Sequence, residues 1–161
     1  VLATAGIHIK YDFNYIHKAD PSLPLKPHFA YDTNVIILTL FPGIQENLIR
    51  NLLQTSGLRA VVMTTYGSGN AHQKPLFIQA LKEATDRGIV IVNISQCPSG
   101  MVEMGRYETS LQLIEAGVVS GYDSTVESIL TKLMFMLGNG KSAEEIRQLM
   151  NLPIAGEITK A

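Results

Sequence analysis

The sequence predicts an α/β domain of three layers, with helices on both faces of a small parallel sheet of about four strands. Two features carry this expectation. Nearly unbroken apolar runs recur at Val35–Phe41, Arg59–Thr64 and Ile89–Ile94. Between them lie segments whose apolar residues fall at helical spacing. A strand buried on both faces needs apolar side chains at successive positions, and joining it to a parallel neighbour needs a long crossover. The alternation of the two therefore points to a covered parallel sheet.

Residues 1–33 stand apart and read as a linker or arm joining another domain. They hold three of the four histidines, His8, His17 and His28, and three of the seven prolines. Ile7–Phe13 alternates apolar and polar residues, which predicts an edge strand. Asp20–Pro27 is broken by proline and reads as loop.

The domain proper is expected over residues 34–161. Val35–Phe41 is the first strand, ended by Pro42-Gly43, and Ile44, Leu48, Leu52 and Leu53 mark the helix after it. Arg59–Thr64 is the second strand; Leu76, Ile78, Leu81 and Ala84 mark a helix stopped by Asp86-Arg-Gly88. Ile89–Ile94 is the third, Glu108–Ala116 a short helix ended by Gly117, and Val118-Val119 a brief fourth strand. Ser124-x-x-Glu127 and Ser142-x-x-Glu145 are capping-box patterns that open two last helices. Val126, Ile129, Leu130, Leu133, Met134 and Leu137 form one apolar stripe that burial against a sheet demands. Crossovers should be right-handed, with sites at the strand C-termini. Phe41-Pro-Gly43, Thr65–Asn70 and Ser95–Gly100 all fall at such ends.

Bulk composition excludes several classes. With 161 residues, 46% apolar and 17% charged, the chain can bury a core within one domain. A net charge of -1 gives no basic excess for nucleic acid or an anionic membrane. The longest apolar runs fall far short of the roughly 20 residues of a membrane span. The opening residues carry no secretory-signal pattern, and Val1 in place of methionine suits a piece of a longer protein. A single cysteine, Cys97, excludes an internal disulfide and suits a reducing compartment.

The stretch Thr64–Phe77, TTYGSGNAHQKPLF, holds the main candidate site. A Gly67-Ser-Gly69-Asn70 turn after a buried strand can point several N–H groups at one anion. It is not a P-loop, since Lys74 is followed by Pro75, nor a dinucleotide fingerprint, since His72 stands where a third glycine belongs. Two readings remain: a ligand loop, in which the Asn70 amide offers both donor and acceptor, or a plain turn using glycine for positive φ. Ser95 and Cys97 can line a small pocket. A nucleophilic Cys97 would need a positioned histidine, and no local signature supplies one. The bland reading is a loop thiol. No metal site is expected, because His8, His17 and His28 lack zinc-site spacing, and Glu103, Glu108 and Glu115 suit a solvated face. No cofactor is implied.

Several motifs, in order, resemble the C-terminal domain of bacterial type I (cytoplasmic) L-asparaginases. They are Tyr66-Gly-Ser-Gly-Asn70, Asp86–Asn93, Ser95-Gln-Cys-Pro-Ser-Gly100, Met104-Gly-Arg-Tyr107 and Ser124–Lys132, with Leu2–His8 and Phe41-Pro-Gly-Ile44 fitting as well. The likeness runs from about residue 2 to residue 158. It implies a flavodoxin-like domain of a homodimeric or homotetrameric cytoplasmic enzyme that hydrolyses L-asparagine to aspartate and ammonia. The family's nucleophilic threonine sits in a Thr-Gly-Gly-Thr motif of an N-terminal domain, and that motif is not found in these residues, so no catalytic residue is assigned here. By resemblance, Gly69 and Asn70 reach the neighbouring subunit's active site. Thr64, Tyr66, Ser95 and Cys97 fall where some type I enzymes hold a second, effector asparagine. The family pattern departs at Thr64, where an arginine pairs with the effector carboxylate; losing such a partner costs about 1.5–3 kcal/mol. Two rival functions stand beside this one: an amidotransferase subunit acting on a tRNA-bound substrate, and a free-standing amino-acid sensor. The near-neutral charge argues against the first.

Overall fold

A computed structural model describes residues 2–16, 18–98, 100–105 and 108–159. His17, Ser99, Arg106, Tyr107 and the Glu108 side chain, all used in the sequence reading, lie outside what is described.

The arm opens with an antiparallel hairpin of β1 (Ala3–Thr4) and β2 (Lys10–Tyr11). The strand expected over residues 7–13 is thus mostly absent, for only Lys10–Tyr11 pairs. Alternation fixes a strand only where one face is buried, and Ile7 is 99% exposed. The next elements are β3 (Val35–Thr39), α1 (Glu46–Leu53), β4 (Ala60–Thr65), α2 (Pro75–Asp86), β5 (Val90–Ser95), α3 (Glu108–Glu115) and β6 (Val119–Ser120). The chain ends with α4 (Val126–Gly138) and α5 (Ala143–Leu149).

The sheet is parallel throughout, in the order β3-β4-β5-β6. Crossovers of one hand that always step in the same direction leave their helices on the same face. That face gathers Ile49 and Leu53 of α1, Phe77 and Leu81 of α2 and Leu113 of α3 over Val61, Met63 and Ile91. The alternate residues Ala60, Val62, Val90, Val92 and Ile94 face the other way, under Ile129, Leu133 and Met136 of α4 and Ile146 of α5. Burial on both sides explains the unbroken apolar runs.

The predicted α4 stripe holds at Ile129, Leu133 and Leu137, but Met134 is only half-buried, while Lys132 and Met136 are buried instead. The predicted cap of α4 is also corrected. Thr125, not Ser124, is the N-cap and accepts from the Ser128 N–H. Ser124 is committed elsewhere, donating to the Glu157 carbonyl at 2.8 Å. At α5 the capping box of Ser142 and Glu145 forms as expected.

Two peripheral segments are fastened to α4. At its C-terminal end, the Asp32 N–H donates to the Met134 carbonyl at 3.0 Å, and the His28 and Tyr31 rings lie against Phe135. Gly138 sits flush against the backbone of Ala30 and Tyr31. Further along α4, Lys132 meets Glu157 of the C-terminal tail at 2.7 Å and donates to the Leu152 carbonyl at 2.6 Å. The remainder of the arm holds much apolar surface in solvent, with Leu25 92% and Phe29 85% exposed.

Candidate functional site

The loops after β3, β4 and β5 lie side by side at the C-terminal edge of the sheet, and the end of β5 interlocks them. Beyond Thr65 the chain leaves β4 and folds back on itself. The Tyr66 N–H donates to the Asn70 carbonyl at 2.9 Å, and the Asn70 N–H returns to the Tyr66 carbonyl at 2.8 Å. Gly67 and Gly69 make this closure, with φ of +52° and +104°, a backbone region that L side chains avoid.

This geometry corrects the expectation of converging N–H groups. The N–H groups of both Gly69 and Asn70 already serve the Tyr66 carbonyl, at 3.1 and 2.8 Å. Nor does the turn open a helix, since residues 71–74 intervene before α2. Two of the turn's N–H groups are therefore withdrawn from any backbone anion cradle, and the half-buried Asn70 side chain stands beside them.

Two side chains of β5 hold the turn. Asn93 is fully buried; its Nδ2 donates to the Gly69 carbonyl at 3.0 Å, and its Oδ1 accepts from the Thr65 hydroxyl at 2.7 Å. Ser95 Oγ donates to the Gly67 carbonyl at 2.6 Å and accepts from the Cys97 N–H at 2.9 Å. Gln96 reaches across the sheet edge, donating to the Leu40 and Thr64 carbonyls at 2.6 and 3.0 Å, and so ties in the loop after β3. Asn93 and Gln96 were missed as positioning groups. An asparagine inside the apolar run Ile89–Ile94 was the available signal, because a buried amide must find partners.

The structure joins some predicted residues and separates others. Gly69, Asn70, Tyr66 and Ser95 come together around the turn. Strand alternation puts Thr64 on the α4 side with Ala60 and Val62, whereas Tyr66 packs into the opposite cluster beside His72. The hydroxyls of Thr64 and Tyr66 are both buried without a hydrogen-bond partner among the described residues. Cys97 is an exposed free thiol. Ser95 and Cys97 line a cavity of about 180 Å³ with Gln96, Pro98, Gly100 and residues 123–127, which does not include Thr64 or Tyr66.

The rim of this cavity is acidic. The Glu127 carboxyl is held below its ordinary value by its own backbone N–H and then by the Thr125 hydroxyl. Burial pushes the Asp123 carboxyl up, but hydrogen bonds from Thr159 outweigh it and the net direction is down. Both stay charged at neutral pH, so the cavity suits an ammonium group better than a carboxylate. Among the described residues, no cluster of His, Cys, Asp and Glu could hold a metal ion. No helix of the described residues is long and apolar enough to cross a membrane.

The family described as Glutaminase/Asparaginase C-terminal domain matches residues 34–150. The chain is 46% identical to L-asparaginase 1 of Escherichia coli K12 over 98% of its own length and 46% of that protein's. It is 40% identical to the human 60 kDa lysophospholipase over 98% of its length and 27% of that protein's. A crystal structure of L-asparaginase I from Vibrio cholerae superposes with a TM-score of 0.88 at 38% identity, covering 99% of this chain and 48% of that one. The chain thus spans less than half the length of these relatives.

Proposed function

This chain belongs to the glutaminase/asparaginase C-terminal domain family, and from that premise we propose that it serves as the C-terminal domain of a cytoplasmic L-asparaginase, lending Asn70 to a substrate site completed elsewhere. The enzyme so formed converts L-asparagine to L-aspartate and ammonia, with the threonine nucleophile supplied by an N-terminal domain and the subunits assembled as a homodimer or homotetramer. One observation carries the reading. A turn closed on itself and fastened to a buried strand presents a single amide side chain at the sheet edge where ligands of parallel α/β folds gather. An amide that donates to a carboxylate and accepts from an ammonium complements both charged groups of an amino acid.

The test uses the full-length protein. A hydrogen bond to a charged ligand group is worth about 1.5–3 kcal/mol, so Asn70→Ala should lower kcat/KM by roughly 10- to 100-fold. Circular dichroism should still report the parent's fold, since Asn70 is only half-buried and the backbone bonds that close the turn remain. Unchanged kinetics would remove Asn70 from the substrate site. The 161-residue chain by itself should release no ammonia.

A second asparagine, bound as effector over Thr64, Tyr66, Ser95 and Cys97, is supported by the two unpartnered buried hydroxyls. Their placement on opposite faces of the sheet and the acidic cavity rim weigh against a carboxylate there. Initial rates decide it. A sigmoidal dependence on asparagine that Cys97→Ala flattens supports the site, and a plain hyperbola removes it.

A further inference from the structure

We propose that Asn93 and Ser95 form a two-point clamp that positions Asn70 for its ligand, an assignment that rests on the substrate-contact role given to Asn70 above. Residues two apart on a strand project from the same face, and here that spacing is matched to two carbonyls two apart in the turn. Asn93 holds the carbonyl of Gly69 at 3.0 Å and Ser95 that of Gly67 at 2.6 Å. The carbonyl between them is also taken, since Ser68 O accepts from the Glu103 N–H at 3.3 Å. Every carbonyl of the stretch 67–69 is therefore fixed from the segment 93–103.

The clamp begins where the backbone ladder stops. The last register pair of β4 and β5 is Thr65 with Ser95; the Gln96 N–H still takes the Thr65 carbonyl at 2.9 Å, and from there the Asn93 and Ser95 side chains reach on to the turn. The Asn93 amide has one workable orientation. Its oxygen takes the Thr65 hydroxyl at 2.7 Å, which leaves the nitrogen for the Gly69 carbonyl; the flipped amide would set two acceptors face to face. Gly69 completes the fit. A Cβ there would lie 2.7 Å from Val102 Cγ1 and 3.2 Å from Asn93 Nδ2, so only glycine lets the turn seat this closely. A positioning group of this kind acts on substrate affinity through the contact it aims.

The experiment combines steady-state kinetics of full-length protein with amide hydrogen exchange over residues 67–70. Ser95→Ala should raise KM about 5-fold, the effect of one lost hydrogen bond, with kcat nearly unchanged. Exchange in the turn should quicken, and in an Asn70→Ala background the same change should raise KM no further. Asn93→Ala should act in the same direction and more strongly; where it fails to fold, Ser95→Ala decides. Unchanged KM and exchange in Ser95→Ala overturn the clamp, as does an effect that adds in full to that of Asn70→Ala. If Asn70→Ala itself leaves kinetics intact, the substrate-contact reading fails, and the exchange data alone then report whether the turn is held.

Discussion

Glu157→Ala should destabilise the domain by about 3–5 kcal/mol, the ordinary result of leaving a buried charge without its partner. For a chain of this size that is a fall in Tm of about 6–20 °C. The Lys132 side chain is only 3% exposed, and Glu157 meets it at 2.7 Å with 10% exposure. The carboxylate also accepts from the N–H groups of Ile154 and Ala155 at 2.9 and 2.7 Å, so its removal frees two backbone donors as well. Replacing both partners, as in Lys132→Met with Glu157→Leu, should cost much less, because no charge is then stranded. Thermal unfolding of the single and double variants separates the two. Equal losses in both would mean that tail packing, not charge, sets the effect.

The same pair predicts an acid limb. Burial, the largest influence, raises the Glu157 pKa, but the hydrogen bond to Lys132 and the backbone donors together hold it down at about 2, from an ordinary 4.5. A carboxyl with a depressed folded-state pKa stabilises the fold above its unfolded value. That contribution is lost as pH falls from about 4.5 towards about 2. Glu157→Gln should show a shallower loss across that window, and an identical slope would contradict the assignment.

Gly138→Ala is the second large effect, and it runs against helix propensity. Alanine inside a helix is favoured over glycine by about 1 kcal/mol. Here the added methyl would lie 2.5 Å from the Ala30 carbonyl carbon and from Tyr31 Cα. Backbone gives way less readily than a flexible side chain, so a net loss of about 1–3 kcal/mol is expected. The damage should be local. The arm leaves its seat on α4, breaking the bond from Asp32 to Met134 and the ring contacts with Phe135. Limited proteolysis should then cut within residues 20–31 faster than in the parent. A variant that is more stable and no more easily cut would show that the arm does not press on α4.

Much of the layer structure was legible because it depends on local pattern. Val90, Ile91, Val92 and Ile94 are fully buried, with alternate side chains in opposite layers, and apolar residues at successive positions are how that condition is written in sequence. The arm was less legible, since a hairpin with exposed faces leaves no burial periodicity to read. The cap at Thr125 was misassigned because Ser124 and Thr125 can both accept from the first helical turn, and a tail contact 33 residues away decides between them. Around Asn70 the glycines announced a turn, but not where its N–H groups go. They close on the Tyr66 carbonyl within the turn, while its own carbonyls are taken by side chains that β5 supplies from across the sheet, which no spacing within the turn encodes. Lys132 shows the same limit, for its counter-charge on Glu157 is set by how the tail folds back.

The uncovered arm determines how this stretch behaves when purified by itself. Ile7, Leu25 and Phe29 stand almost wholly in water, and apolar patches of this kind draw molecules together. Clustering that grows with concentration would then report greasy ends meeting one another, while the α/β body behind them stays intact. Turbidity in such a sample is a property of its fringe and says nothing against the integrity of its centre.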